Sequence, residues 1–241
     1  MKAIVTGHTH GLGAALARAL ALRGVAVLGL ARGHSASLAA DFPGQVRQLA
    51  LDLADSAALA GWLAQGEVAA FFESAPVSLL LNNAGTVQPI GPLPAQDSAA
   101  VGAAVALNVA APLMLAAAVA ALPGERRIAH VSSGAGRSPY AGWSVYCAGK
   151  AALDHHARAA ALDAVAGLGV CSIAPGIIDT AMQAAIRASS AQLFPARERF
   201  VELHRNGELA DPATCAARLV DYLLSENFAA KPVEDLRTLG P

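Results

Sequence analysis

The sequence contains only three cysteines, at positions 147, 171 and 215, and no two of them form a C-x-x-C pair. We therefore expect neither a disulfide framework nor a zinc site. The histidines show no H-x-x-x-H ligand spacing either, so we expect no metal ion. Met1 and Lys2 lead directly into AIVTG, without the apolar segment that marks a signal peptide. These features predict a protein of a reducing compartment, the cytoplasm.

An excess of charge of either sign is also missing, since 17 basic residues stand against 18 acidic ones. Such a balance provides no broad field for binding nucleic acid or an anionic membrane. One uncharged stretch, between Asp97 and Glu125, includes VALNVAAPLMLAAAVAAL and is long enough to span a membrane. Asn108 and Pro112 interrupt it, and alanine contributes little to insertion. We predict a helix that packs against a sheet and a second subunit, with no membrane partner.

Apolar strands alternate with helices along the chain. The predicted strands are 2–6, 25–31, 46–53, 77–81, 127–133 and 169–175. The predicted helices are 14–23, 56–72, 96–122, 144–166 and 211–224. This alternation indicates a doubly wound parallel sheet of the α/β class, covered on both faces. We predict a single domain over residues 1–241, in which residues from about 178 to 209 form a lid, because long excursions in compact domains are often binding loops.

A glycine-rich turn follows the first predicted strand and has the sequence Thr6-Gly7-His8-Thr9-His10-Gly11-Leu12-Gly13. Glycines at this place permit a tight turn and let a pyrophosphate approach backbone N–H groups at a helix N-terminus. A plain turn without a ligand is the alternative, because glycine-rich turns between strands and helices are common. Three residues separate the first two glycines, so the motif differs from the G-x-G-x-x-G of other dinucleotide folds.

A phenol and an ammonium group are four residues apart in the predicted helix 144–166, as Tyr146 and Lys150. Residues with this spacing share one face of a helix. A phenol titrates near about 10, and an adjacent cation favours its ionised form. The pair could therefore move a proton near neutral pH, as carbonyl reduction or alcohol oxidation requires. Taken alone, Y-x-x-x-K could also belong to an ordinary amphipathic helix.

Further motifs occur in the order found in the short-chain dehydrogenase/reductase family, which this chain resembles. The glycine turn has the spacing of that family. The other matches are Asp52 after the third strand, Asn82-Asn83-Ala84-Gly85 after the fourth, Asn108 in LNVAAP, Ser133 thirteen residues before Tyr146, Tyr146 with Lys150, and Pro175-Gly176 followed by Thr180. They extend from residue 4 to about residue 182, so the resemblance covers most of the chain.

The resemblance implies a Rossmann-like fold and four catalytic residues. Tyr146 would protonate the substrate carbonyl oxygen as hydride arrives from a nicotinamide, or deprotonate the alcohol in the reverse direction. Lys150 would lower the pKa of Tyr146 and bind the nicotinamide ribose. Ser133 would polarise the carbonyl, as an oxyanion donor does. Asn108 would hold a water in the proton relay, although it could instead satisfy a helix kink before Pro112.

The resemblance also implies a set of cofactor-binding residues in the turns that follow the strands. They are Gly7, Thr9, His10, Gly11, Leu12, Gly13, Ala31, Arg32, Asp52, Leu53, Asn83, Ala84, Gly85, Tyr146, Lys150, Pro175, Gly176, Ile178 and Thr180.

The end of the second strand predicts NADP(H) as the cofactor. An NAD enzyme has an Asp or Glu about 20 residues beyond the glycines, where it binds the ribose 2′-hydroxyl. Here that place holds Ala31-Arg32, with Arg32 nineteen residues after Gly13. A guanidinium can pair with a 2′-phosphate, although Arg32 could also be a solvated surface residue. His10, just before the middle glycine, would be a weaker and pH-dependent partner.

The surroundings of Tyr146 and Thr180 are similar to those of sepiapterin reductases and bacterial benzil reductases. The shared patterns are G-W-x-x-Y-C-x-x-K-A-x-x-D and P-G-x-x-D-T-x-M-Q. Trp143 and Met182 would contact the substrate. Asp235 is the candidate for the carboxylate that anchors the pterin in sepiapterin reductases, with a surface Asp as the alternative. Trp143 could equally be a core residue. Because the sequence around Asp235 matches the pterin anchor poorly, an apolar dicarbonyl fits better than a pterin.

We expect an NADPH-dependent reductase of ketones or vicinal dicarbonyls that acts on small molecules as a homodimer or homotetramer. An NADP-linked alcohol dehydrogenase or a 3-oxoacyl-type reductase of the same fold is the alternative among enzymes. A non-catalytic NADP-binding regulator is the alternative from another class; such proteins usually lack the Tyr or the Lys, and this chain has both.

Overall fold

The computed structural model describes residues 1–239. Gly240 and Pro241, the last two residues of the predicted domain, lie outside the described residues.

The described strands form one sheet. In chain order they are β1 (Lys2–Thr6), β2 (Ala26–Ala31), β3 (Val46–Ala50), β4 (Val77–Asn82), β5 (Glu125–Val131), β6 (Leu168–Ala174) and β7 (Val233–Asp235). All neighbours pair in parallel, in the order β3-β2-β1-β4-β5-β6-β7. The predicted doubly wound parallel sheet is confirmed.

Helices connect the strands. They are α1 (Gly11–Leu22), α2 (Ala36–Asp41), α3 (Ser56–Ala64), α4 (Glu67–Phe72), α5 (Ser98–Val105), α6 (Ala111–Ala120), α7 (Ser144–Leu162), α8 (Ala181–Ala188), α9 (Arg197–Arg205) and α10 (Pro212–Leu224). A π-helical segment, Ala106–Ala110, joins α5 to α6, and short 3-10 helices cover Leu93–Ala95 and Gly134–Gly136.

The central strands present apolar side chains to both faces of the sheet. In β4, for example, Leu79 and Leu81 join the core under α1 and α10, while Leu80 joins the core under α3, α4 and α6. Successive side chains of a strand point to opposite faces, so a strand covered on both sides must be apolar throughout. This requirement explains the unbroken apolar runs of the sequence.

Two predicted helices are interrupted in the structure. The predicted helix 56–72 is divided into α3 and α4 by Gly66, whose φ of 76° lies in the left-handed region. The predicted helix 96–122 contains the π-helical segment around Asn108. By length and composition, Ser98–Ala120 could cross a membrane. In this fold, Leu115 and Val119 of that segment are fully buried in the core.

Some elements carry too weak a pattern to be predicted. The span 178–209, predicted as a lid, contains α8 and α9. Strand β7 has only three residues, two of them charged, so no apolar run announces it. It pairs with β6 through Ser172 and Val233 and completes the edge of the sheet.

Gly29 in β2 leaves space for the buried imidazole of His8. A Cβ atom at Gly29 would lie 2.4 Å from Cγ of that ring. The ring is held in place by Gln48 of β3, whose Oε1 lies 2.8 Å from Nε2 of His8. The glycine turn after β1 is therefore packed directly onto the neighbouring strand.

We expect Gly29→Ala to lower the free energy of unfolding by about 1–3 kcal/mol, because an overpacked core must shift to admit the methyl group. Urea unfolding followed by circular dichroism measures the loss. Gly61→Ala is the matched control: its Cβ would meet nothing within 4 Å in α3, so stability should rise by roughly 0.4–1 kcal/mol. Equal stabilities of the two variants would contradict this packing account.

Candidate active site

A cavity of about 1000 Å³ opens at the carboxyl ends of β1, β2, β4, β5 and β6. In this sheet the strand order reverses between β1 and β4, and open α/β sheets bind ligands beside such a reversal. Every residue predicted to bind the cofactor borders this cavity, as do Ser133, Trp143 and Met182. Asn108 and Asp235 do not border it.

The glycine turn and the loop after β4 are joined into one cradle. The hydroxyl of Thr6 accepts hydrogen bonds from the backbone N–H groups of Asn83 and Ala84, both at 2.9 Å. The side-chain amide of Asn83 donates to the carbonyl of Thr6 at 3.0 Å. Gly13 is required here, because its Cβ would lie 2.0 Å from the carbonyl oxygen of Gly7.

The start of α1 fits the phosphates of a dinucleotide. Helix α1 begins at Gly11, and His10 at its N-cap position provides no side-chain cap. The first N–H groups of an uncapped helix can hydrogen-bond a phosphate. Gly7 and Gly11 have φ values of 70° and 54°, which a glycine adopts without strain. The residues present therefore fit a pyrophosphate at this position.

A polar network that no local sequence pattern marks links the glycine turn to the segment after β2. Gln48 Oε1 contacts Nε2 of His8 at 2.8 Å and accepts from the N–H of Ser35 at 2.6 Å. Gln48 Nε2 donates to the carbonyl of Ser35 at 3.0 Å. Burial lowers the pKa of His8 from its usual value. Gln48 thus connects His8 with Ser35 in the segment that follows β2.

At the β2 and β3 end of the cavity, Arg32 is exposed and forms no salt bridge within residues 1–239. Asp52 borders the same end and accepts a hydrogen bond from the N–H of Ala54 at 2.9 Å. Arg32 is therefore available to a phosphate.

Tyr146 and Lys150 lie one helical turn apart in α7, and both are buried. The Nζ atom of Lys150 donates to the carbonyl of Val131 at 2.7 Å and lies 5.7 Å from the centre of the Tyr146 ring. Ser133, just after β5, borders the same part of the cavity. The three residues come from two elements and meet as their spacing predicts.

The pKa values of this group differ from the sequence expectation. Burial raises the pKa of Tyr146 to about 12, while a hydrogen bond from Ser133 opposes the rise. Burial lowers the pKa of Lys150 to about 8, and Asp154 raises it in part. The Tyr146 pKa thus shifts upward and not downward as expected, because removal from water is its largest cause.

Asn108 connects the π-helical segment to the loop after β4. Its Oδ1 accepts from the N–H of Thr86, and its Nδ2 donates to the carbonyl of the same residue, each at 2.8 Å. Both ends of the amide are thus engaged in holding this loop. The alternative role, which was to satisfy a helix kink before Pro112, is not what the side chain does, because its partner lies 22 positions away. The expected role in a proton relay stays a prediction.

Asp154 is a second buried residue that the sequence analysis did not assign to the site. It lies one turn beyond Lys150 on α7 and accepts hydrogen bonds from the hydroxyls of Ser132 at 2.6 Å and Ser172 at 2.7 Å. Arg137 lies 3.3 Å from its other oxygen. Asp154 therefore ties α7 to β5 and β6 directly behind Lys150.

The other end of the cavity is aromatic. Trp143 stacks on Phe194 with ring centres 4.3 Å apart and meets the ring of Tyr146 at 5.3 Å. Tyr140 lies 5.4 Å from Trp143, and Phe200 of α9 packs against the same indole at 5.5 Å. Trp143 is thus both a packed residue and part of the cavity lining. Phe194 and Phe200 were missed because their segment has no strand or helix pattern.

The predicted substrate carboxylate, Asp235, does not border the cavity and pairs with two arginines. Its oxygens accept hydrogen bonds from Nε of Arg237 at 2.9 Å and from Nη2 at 2.6 Å. Nη1 of Arg137 lies 3.8 Å away. Arg237, two residues further on, is the side chain of this strand end that borders the cavity.

Comparisons with known proteins agree with this geometry. A model of the family described as short chain dehydrogenase matches residues 1–191. Benzil reductase ((S)-benzoin forming) from Bacillus cereus is 31% identical over 237 residues, 93% of this chain and 94% of that protein. Sepiapterin reductase from Meriones unguiculatus is 35% identical over 243 residues, 93% of this chain and 92% of that protein.

Among solved structures, a short-chain dehydrogenase/reductase from Burkholderia vietnamiensis is 50% identical to this chain. The two superpose with a TM-score of 0.72, over 99% of this chain and 98% of the other.

Proposed function

This chain belongs to the short chain dehydrogenase family, and we propose that it is an NADPH-dependent reductase of ketones or vicinal dicarbonyl compounds. The observation that carries the proposal is the meeting of Ser133, Tyr146 and Lys150 in one cavity beside the glycine cradle. The full-length similarity to benzil and sepiapterin reductases supports a carbonyl substrate.

NADPH is the cofactor that the chain's own residues fit. The glycine turn and the start of α1 would hold the pyrophosphate, and Arg32 would pair with the 2′-phosphate. When bound, the cofactor would supply the hydride that reduces the carbonyl carbon. Asp52 is the only carboxylate along the cavity lining of residues 1–239, and it would contact the adenine.

The proposed mechanism gives the chain's residues separate tasks. Ser133 donates a hydrogen bond to the substrate carbonyl oxygen and polarises the bond. Tyr146, whose pKa is raised to about 12 by burial, carries its proton at neutral pH and donates it to the same oxygen. Lys150 holds its ammonium beside the phenol and stabilises the phenolate that results. A protonated Tyr146 is the form that reduction of a carbonyl requires.

The aromatic end of the cavity would receive the apolar part of the substrate. Trp143, Tyr140 and Phe200 offer ring surfaces there, and Met182 of α8 borders the same space. We propose that the segment 178–209, with α8 and α9, acts as the lid of a single catalytic domain and excludes water from the reacting groups.

Two alternatives share this fold. An NADP-linked alcohol dehydrogenase or a 3-oxoacyl-type reductase would use the same groups on another substrate, and substrate profiling separates them. A non-catalytic NADP-binding regulator would not need Ser133, Tyr146 and Lys150 together. The convergence of all three in the cavity favours an enzyme.

Tyr146→Phe should reduce kcat for benzil with NADPH by about 100-fold or more, because it removes the proton donor and leaves the ring in place. Steady-state oxidation of NADPH, followed by its absorbance, measures the loss. Tyr222→Phe, which removes a phenol far from the cavity, should keep wild-type turnover. A Tyr146→Phe enzyme with full turnover would show that another group is the acid.

Arg32→Asp should lower the preference for NADPH over NADH about tenfold or more, since a charge-assisted hydrogen bond is replaced by repulsion of the 2′-phosphate. The ratio of kcat/KM values for the two cofactors is the measurement. Arg47→Asp makes the same charge change at an exposed position of β3 that does not border the cavity. It should leave the ratio of the two kcat/KM values unchanged. An unaltered ratio in Arg32→Asp would contradict the assignment of NADPH.

We also propose a homodimer or homotetramer in the cytoplasm. Large apolar side chains are exposed on two helices, namely Val105 at 46% on α5 and Leu162 at 86% on α7. A second copy would supply a surface that covers them. Sedimentation velocity should detect the oligomer, and a monomer at every concentration would exclude it.

A further inference from the structure

Two guanidinium groups border the aromatic end of the cavity. Arg199 comes from α9, and Arg237 comes from the turn after β7. The other charged groups of the lining within residues 1–239 are Arg32, Asp52 and Lys150, of which Arg32 and Asp52 lie at the opposite end. Within residues 1–239, no carboxylate therefore lines the aromatic end of the cavity.

Arg199 has no acidic partner within 4.0 Å among the salt bridges of residues 1–239. Its Nη1 donates to the hydroxyl of Tyr140 at 3.0 Å, while a guanidinium has five N–H donors in total. The adjacent Phe200 is buried against Trp143 and anchors this turn of α9. The Arg199 head group is thus held at the cavity with donors to spare.

Arg237 is held by Asp235 in a two-point hydrogen bond, at 2.9 and 2.6 Å. Its side-chain methylenes lie over Gly176, where a Cβ would be 3.4 Å from Cδ of the arginine. Asp235 therefore acts as a positioning residue that fixes the guanidinium beside the cavity. Nη1 of Arg237 is left for another acceptor.

The charges around this end sum to a positive value. Two carboxylates, Asp154 and Asp235, stand against the guanidiniums of Arg137, Arg199 and Arg237. Glu234 is nearby as well, but it pairs with Lys231 at 3.9 Å. The ammonium of Lys150 also faces Asp154, so positive charge is in excess, and Arg199 has no acidic partner within 4.0 Å in residues 1–239.

We infer that the preferred substrates are aromatic dicarbonyls that carry a carboxylate, which Arg199 and Arg237 bind. The inference rests on the proposed function and adds a charge requirement to it. Bidentate recognition of a carboxylate is the chemistry that a guanidinium fork suits best.

The ring contacts also indicate where that carboxylate lies. Tyr146, Trp143 and Tyr140 follow one another at ring-centre separations of 5.3 and 5.4 Å, and Tyr140 then contacts Arg199. The rings of Trp143 and Tyr140 therefore lie between the guanidinium and the proposed acid. A carboxylate on the far side of a substrate ring suits this separation better than one bonded directly to the reacting carbonyl.

The test compares benzil-4-carboxylate with its methyl ester, which share the dicarbonyl core and differ in charge. For the wild-type enzyme we expect a KM about tenfold lower for the acid, as the loss of a charge-assisted hydrogen bond would predict. Arg199→Gln and Arg237→Gln should each raise the KM of the acid several-fold, with KM of the ester and kcat nearly unchanged. Arg199→Lys should restore part of the effect.

Arg205→Gln is the matched control, because it removes a charge from an exposed position of the same helix that does not border the cavity. It should leave both KM values unchanged. Higher salt should raise the KM of the acid and not that of the ester.

Two failures are distinguishable. If wild-type enzyme reduces benzil and the ester but shows no preference for the acid, or if both glutamine variants keep the preference, this inference is overturned and the proposed function stands. If neither benzil nor the ester is reduced with either nicotinamide cofactor, the proposed function itself fails.

Discussion

The contact between the ends of β1 and β4 is the constraint on which the rest of the site depends. The hydroxyl of Thr6 accepts hydrogen bonds from two backbone N–H groups of the loop after β4, and Gly13 packs directly on the carbonyl of Gly7. The contact brings the glycine turn and the loop after β4 to one point. Because the strand order reverses there, the adjoining crossovers leave space for a ligand instead of filling it. The strand order therefore determines where the cavity lies, and the side chains around it determine what it can bind.

Burial decides the protonation chemistry inside that cavity. Removal from water raises the pKa of Tyr146 to about 12 and lowers that of Lys150 to about 8, so each neutral form is favoured. The ammonium is retained by the Val131 carbonyl and by Asp154 one turn away. Asp154 in turn is held by two serines from neighbouring strands. The group is thus oriented by the sheet beneath it and tuned by exclusion of solvent.

The aromatic end combines residues that precede α7 with residues from the later segment 178–209. Phe194 and Phe200 pack on Trp143 and bring Arg199 to the cavity mouth. At the end of β7 a negative charge from Asp235 was expected at the cavity. The structure places the positive Arg237 there instead, and Asp235 holds it. A carboxylate that could have anchored a pterin instead positions a guanidinium.

The sequence by itself determined the parallel sheet, the glycine turn, the Tyr146–Lys150 pair and the family. These features depend on local periods and local sterics: apolar strands buried on both faces, a turn that admits no Cβ, and two residues on one helical face. Only the tertiary structure decided the partners of His8, Asn108 and Asp154, the break at Gly66 and the arginines at the aromatic end. Those contacts join residues that are distant in the chain, and the free energy of burying them depends on packing that no periodic pattern records.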